Sequence, residues 1–205
     1  MTEFVSRRER KIAIVRALKI VRDAQKYLSS TYKIDPRLVG SAKYNAVICD
    51  GNGVYDMDYQ LVLTNNCKCE EFDANKIRKD FFNAFNAIKN ENEKVDNSTS
   101  VITVRVSNNK GKFSADKEVF SFDFAIIIEN KNGSFITRRD ADNHYVWNEL
   151  PSRNSYIYDK YFLLNYYDQK IIIDRIIERK MTEKMKPKDK RIPSSVIFME
   201  EVNKF

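Results

Sequence analysis

The stretch from Val119 to Glu129 sets Phe120, Phe122, Phe124 and Ile126 on one parity and Ser121, Asp123 and Ala125 on the other. A β-strand sends alternate side chains to opposite faces. This run is therefore a strand with one wholly apolar side, continued by the block Phe124-Ala125-Ile126-Ile127-Ile128. Such a strand must be covered, and two segments at helical spacing can cover it. Residues 7 to 32 place Ile14, Val15, Leu18, Val21 and Leu28 at helical intervals, with Arg16, Lys19, Arg22, Asp23 and Lys26 on the other faces. Asp73 is placed to cap a helix running to about Asn90, with Ile77, Phe81, Phe82, Phe85 and Ile88 on one face.

Further strands read from Val54 to Thr64, from Val101 to Ser107 and, after the turn signal Asn132-Gly133, from Phe135 to Arg138. Asp35-Pro36 ends the first helix, and Asn108-Asn109-Lys110-Gly111 marks a turn. The segments Asn90 to Thr99 and Asp140 to Ser155 read as polar loops. Tyr156 to about Met185 reads as one helix, carrying Phe162, Leu163, Ile171, Ile172 and Ile176. A basic linker with Lys186, Lys188, Lys190 and Arg191 leads to Pro193, and Ser194 or Ser195 opens a short final element. Helix, then strands mixed with helices, then helix is the order of an α/β or α+β domain with a helical C-terminal addition. The expected division is a core over residues 1–150, including the first helix, and a helical portion over 151–205 packed on it.

Of the 205 residues, 36 are Lys or Arg and 29 are Asp or Glu, a formal charge of +7. That surplus favours a polyanionic partner: nucleotide, nucleic acid or anionic membrane. No window approaches the roughly 18 apolar residues of a membrane span, and no signal peptide follows Met1, so no membrane role is expected. Three cysteines, Cys49, Cys67 and Cys69, without a matching Cys or His set, exclude a disulfide framework and a structural zinc site. A reduced, cytoplasmic protein is expected.

The chemistry concentrates on two strands. Asp56 and Asp58 share a face of the Val54–Thr64 strand, while Tyr55, Met57, Tyr59, Leu61 and Leu63 take the other. Two like charges side by side are relieved by a cation, and hard oxygen donors favour Mg²⁺ or Mn²⁺ over zinc. Asp123 lies among small residues on the polar side of its strand. Packed beside Asp56 and Asp58, it would complete a three-carboxylate cage for one or two metals. Gly40-Ser41 precedes this strand pair. A glycine there lets the backbone approach a phosphate, which the Ser41 hydroxyl and nearby N–H groups would hold. An Asp-x-Asp alone carries little weight, since Asp140-Ala141-Asp142 is a second one and Gly133-Ser134 a second Gly-Ser. The composite carries the signal: Gly-Ser after a helix, Asp-x-Asp beginning 15 residues after Ser41 and a strand-borne Asp 65 residues after Asp58.

This pattern resembles the nucleotidyltransferase superfamily of DNA polymerase beta. Within it, Gly40-Ser41-Ala42-Lys43-Tyr44-Asn45-Ala46 is similar to the Gly-Ser-x-x-x-Gly-Thr segment of the oligoadenylate synthase and cyclic GMP-AMP synthase-like branch, with Asn45-Ala46 in place of Gly-Thr. That branch includes bacterial cyclic-oligonucleotide synthases. The likeness covers about residues 10 to 130. It implies a nucleotidyltransferase-like mixed sheet flanked by helices and metal-dependent transfer of a nucleoside monophosphate from a nucleoside triphosphate to a hydroxyl, with release of pyrophosphate. It further implies that Asp56 and Asp58 bind two Mg²⁺ or Mn²⁺ ions, that Asp123 binds the catalytic one and helps activate the acceptor, and that Gly40 and Ser41 hold the triphosphate. A nucleotide, a tRNA end, a protein side chain or a small molecule would each supply such a hydroxyl.

The remaining candidates have plainer readings. Arg105 shares parity with Thr103 and reads as an exposed or edge residue. Lys160, Lys170 and the run from Lys180 to Arg191 read as solvated. The aromatic stretch from Tyr145 to Tyr167 reads as core packing, His144 as surface and Cys67-Lys68-Cys69 as incidental thiols. Arg7, Arg8, Arg10 and Lys11 open the first helix at the wrong end for its dipole, an arrangement that gains from a facing anion or partner chain. The rival to an enzyme is a module of the same fold that binds nucleic acid or a protein partner without chemistry.

Overall fold

The computed structural model describes residues 4–28, 31–50, 52–64, 73–107, 118–150 and 155–205. The elements in order are α1 (Arg7–Leu28), β1 (Ile34–Leu38), α2 (Gly40–Lys43), β2 (Tyr55–Leu63), α3 (Ala74–Ile88), β3 (Glu93–Asn97), β4 (Ile102–Ser107), β5 (Glu118–Asn130), β6 (Gly133–Arg139), β7 (Tyr145–Glu149), α4 (Ser155–Leu163), α5 (Tyr166–Lys184) and α6 (Ser194–Asn203). The strands form one sheet in the order β1-β2-β5-β4-β3, with β6 paired to β5 and β7 to β6. Among the described residues only β2 and β5 run parallel; the other pairs are antiparallel, so the sheet is mixed.

α1 opens with a capping box: the Ser6 hydroxyl accepts from the Glu9 N–H at 3.2 Å and the Glu9 carboxylate accepts from the Ser6 N–H at 2.9 Å. Its buried stripe is Ala13, Ala17, Ile20, Val21, Ala24 and Leu28. Val15 and Leu18, expected inside, are 61% and 40% exposed. Small alanines let the helix axis approach its neighbours closely, and that contact wins over the bulkier side chains one position away. α3 is capped as expected by Asp73, which accepts from the Asn75 N–H at 2.8 Å. Ile77, Phe81 and Phe85 are buried in the same core as Met57, Tyr59, Phe122 and Phe124, with Phe85 stacked on Phe124 at 5.0 Å. α1 and α3 therefore cover the apolar face of β2 and β5, and the face that carries Asp56, Asp58 and Asp123 is turned away from them.

Two strands lie where loops were expected. β3, with the sequence Glu-Lys-Val-Asp-Asn, pairs only with β4. β7 pairs only with β6. An edge strand buries little, and so lacks the apolar alternation that marks an inner one. Asp35 and Pro36 also fall in an edge strand, β1, where a residue without an N–H is tolerated. The long C-terminal helix is broken into α4 and α5 at Asn165, whose side chain accepts from the N–H groups of Tyr167 and Asp168. Gln169 donates back to the carbonyls of Tyr161 and Leu164, closing the end of α4.

The three last helices build a second apolar cluster around Phe198, Ile197, Ile172 and Ile176. Tyr44 and Ala46, from the segment after α2, belong to it, and Tyr44 stacks on Phe198 at 4.1 Å. The C-terminal helices are thus anchored on the turn that follows Gly40-Ser41. Among the described residues no helix is long and apolar enough to cross a membrane.

Candidate active site

The register of β2 against β5 sets Asp58 directly beside Asp123 and Asp56 beside Ser121. β4 adds Thr103 beside Asp123 and Arg105 beside Ser121. Paired residues share a face, and neighbouring strands lie roughly 4.8 Å apart, so two rows of polar side chains cross the sheet together. One row is Asp58, Asp123 and Thr103; the other is Asp56, Ser121 and Arg105. Hydroxyls already serve two of the acids. Thr103 Oγ1 donates to Asp123 Oδ1 at 2.6 Å, and Ser121 Oγ donates to Asp56 Oδ1. Arg105 is half-buried on the inner strand β4 rather than at the expected edge, stands on the acidic face and is ion-paired with Asp96 of β3 at 2.9 Å.

Asp58 is held from the side by the turn into α2. The Val39 N–H donates to the Asp58 carbonyl at 2.9 Å. Gly40 has φ of +61°, and a Cβ on it would overlap Asp58 Oδ2. Only glycine lets this turn lie on the carboxylate. Ser41 follows Gly40 in the short helix α2, next to the residue that lies on Asp58. Burial, reinforced by Asp123 and Asp56, pushes the Asp58 carboxyl up to about 6. Burial, with Asp56 adding to it, also raises Asp123, while Thr103 and Arg105 pull it down.

The cation that acts on Asp58 is one the sequence reading missed. Lys180 of α5 is buried, and its Nζ donates to the Ala46 carbonyl at 2.7 Å. Burial pushes its ammonium down to about 8, with Lys184 adding and Asp58 opposing. It was read as part of a solvated run. The available signal was its spacing: Ile172, Ile176 and Lys180 continue one stripe at four-residue steps, which puts the lysine on the buried side of α5. Tyr44 was missed as well. Burial raises its phenol, and the charges of Tyr158, Asp58 and Tyr161 raise it further, while its ring stacks on Phe198 of α6.

The three carboxylates share one face of the sheet, and Asp123 and Asp56 both act on Asp58. Among the described residues no group of three His, Cys, Asp or Glu side chains is drawn together to hold a metal ion. The donor chemistry still fits a hard divalent cation: carboxylate oxygens on adjacent strands, with Asp58 raised by its acidic neighbours. His144 is exposed, as expected. Lys170 is exposed and Lys160 half-buried. Of the aromatic stretch, Tyr161 is buried, whereas Tyr156, Tyr166 and Tyr167 are 68%, 73% and 76% exposed, so core packing describes only part of it. Cys67, Cys69 and the turn at Asn108-Asn109-Lys110-Gly111 lie outside the described residues.

No protein-family model matches the chain, and no curated protein matches it by sequence. Its fold, however, is found among solved structures of CD-NTases, which are nucleotidyltransferases of the cyclic GMP-AMP synthase and oligoadenylate synthase type. The Bradyrhizobium diazoefficiens CD-NTase CdnG in complex with GTP superposes with a TM-score of 0.55 at 15% identity, over 77% of this chain and 42% of that one. Vibrio cholerae DncV in its GTP-bound form gives 0.56 at 14% identity, over 92% and 50%. The Elizabethkingia meningoseptica cyclic dinucleotide synthase CdnE, with GTP and Apcpp, gives 0.57 at 12% identity, over 93% and 68%. The chain spans about half the length of the first two. The α/β architecture expected from the sequence is thus the nucleotidyltransferase fold, with its mixed sheet and flanking helices.

Proposed function

We propose that the chain is a metal-dependent nucleotidyltransferase that moves a nucleoside monophosphate from a nucleoside triphosphate to a hydroxyl acceptor and releases pyrophosphate. The observation that carries this reading is the pairing of Asp58 with Asp123 across parallel strands, two residues from Asp56 and against the Gly40-Ser41 turn. The likeness of fold to proteins solved with GTP supports it. In this reading Asp56 and Asp58 hold two Mg²⁺ or Mn²⁺ ions, and Asp123 shares one of them. Bound divalent ions supply neutralisation of the triphosphate and of the leaving pyrophosphate. Asp123 accepts the proton of the acceptor hydroxyl as the new phosphoester bond forms and the bond to pyrophosphate breaks. The Ser41 hydroxyl donates to the triphosphate. Lys180 adds a fixed positive charge on the side of α5, and Tyr44 keeps water from Asp58. The working compartment in this reading is the cytoplasm, where nucleoside triphosphates are plentiful.

The test is turnover of radiolabelled nucleoside triphosphates with Mg²⁺ or Mn²⁺, comparing the native chain with Asp56→Asn/Asp58→Asn. The expected outcome is pyrophosphate release by the native chain and none above background by the variant. Equal rates in both would remove the assignment. Mass spectrometry of the products names the acceptor.

A further inference from the structure

The first turn and a half of α1 carries Arg7, Arg8, Arg10 and Lys11 at the end where the helix dipole is already positive. Arg7, Arg8 and Lys11 are exposed, but Arg10 is only 6% exposed. Its guanidinium lies over the Phe4 ring at 5.3 Å, and its Nη1 is buried with no hydrogen-bond partner among the described residues. A buried donor left empty is destabilising, and more so when it is charged. These four cations, with Ile14 and with Ala42 and Asn45 at the α2 turn, line a cavity of about 610 Å³. No carboxylate is among these lining residues. The one acid in the turn, Glu9, is occupied by the Ser6 N–H.

We propose that this cavity is a second phosphate site, taking the di- or triphosphate group of a small phosphorylated molecule. Arginine forks match phosphate oxygens, and four positive charges in one recess match several phosphates rather than one. The site is separate from the acidic face. Tyr55, whose hydroxyl donates to the Glu9 carbonyl at 3.3 Å, points to the side of β2 opposite Asp56 and Asp58. The two sites share only the α2 turn, which shows Gly40 to Asp58 and lends Ala42 and Asn45 to the cavity.

Titration calorimetry on the full chain in EDTA tests this, because a carboxylate face without divalent ions repels phosphate. Inorganic tripolyphosphate is the probe, with ATP and adenosine alongside. Tripolyphosphate and ATP are expected to bind and adenosine is not. Tighter binding of ATP than of tripolyphosphate identifies a nucleotide as the source, equal binding a free polyphosphate, and both support the site. Arg7→Gln/Lys11→Gln, at exposed positions that leave folding intact, is expected to weaken binding by about tenfold or more. Three results would overturn the proposal. One is no binding in EDTA. Another is an equal loss in Lys89→Gln/Lys131→Gln, which removes the same charge elsewhere. The third is tight binding of a nucleic-acid duplex that tripolyphosphate does not displace. None of these reads the transfer reaction, so the two assignments stand or fall separately.

Discussion

Gly40 and Asp58 constrain each other more tightly than any other pair at the site. A left-handed residue with φ of +61° and no room for a Cβ can only be glycine. Gly40→Ala is expected to lose about 1–3 kcal/mol from backbone strain and from displacement of the Asp58 carboxylate, read by urea denaturation, and to lose transfer activity beyond what the lost stability explains. Asp58 itself is a source of instability when no cation is present. Its folded-state pKa, about 6, lies above the ordinary value of 3.8. The native state therefore binds the proton more tightly than the unfolded chain. The resulting stability is complete below about pH 4 and is lost as pH rises through 6. Near pH 7 the ionised carboxylate costs on the order of 3 kcal/mol. Asp58→Asn is expected to raise the melting temperature in EDTA at pH 7 and to flatten the fall in stability between pH 4 and 7. Melts across that range that superpose for the two proteins would refute the electrostatic account.

Arg78 shows how one side chain can join elements. It stands on α3 with no exposed surface, donating to Asn97 Oδ1 at 2.8 Å, to the carbonyls of Ser98, Ser100 and Val101, and to the Thr137 hydroxyl. It fastens the helix to the β3–β4 turn and to β6. Arg78→Met leaves these acceptors buried without donors and is expected to cost about 3–5 kcal/mol, with hydrogen exchange speeding up first in β3 and β4. This junction also shows where the sequence stops being legible. Nothing local to Glu93–Asn97 marks a strand, because β3 is held by β4 on one side and by groups such as Arg78 and Arg16 that come from far along the chain. Inner strands are different. In β2 and β5, burial of one face is written directly as alternation, so the shared polar face of Asp56, Asp58 and Asp123 was legible, whereas the register that sets Asp58 beside Asp123 is not contained in that parity. The site was readable where its residues lie on those strands and at Gly40-Ser41. Lys180 was hidden because a charged residue on a buried helical stripe looks, in sequence, like a solvated one. Thr103 and Ser121 were hidden as carboxylate partners because short hydroxyl side chains are common on any strand.

At the scale of the molecule, two apolar clusters meet at the segment after α2, and the acids lie near that junction. One body of helices covers the far face of the sheet, and the other, through Lys180 and Tyr44, closes on Asp58. Charge repulsion among the acids opposes burial of the ionised Asp58, only partly offset by Lys180, and a divalent cation would remove that opposition. Saturating Mg²⁺ or Mn²⁺ is therefore expected to raise the melting temperature of the native chain by several degrees at neutral pH. A ligand at about a hundred times its dissociation constant adds about 2.7 kcal/mol when it binds only the folded state. The same addition is expected to leave Asp56→Asn/Asp58→Asn unmoved, although that variant should melt higher in EDTA. The two effects have opposite signs for one pair of substitutions, so a general loss of folding cannot mimic them. Differential scanning calorimetry with and without metal reads both. An equal metal-induced shift in both proteins would place the cation elsewhere and detach the acidic face from metal chemistry.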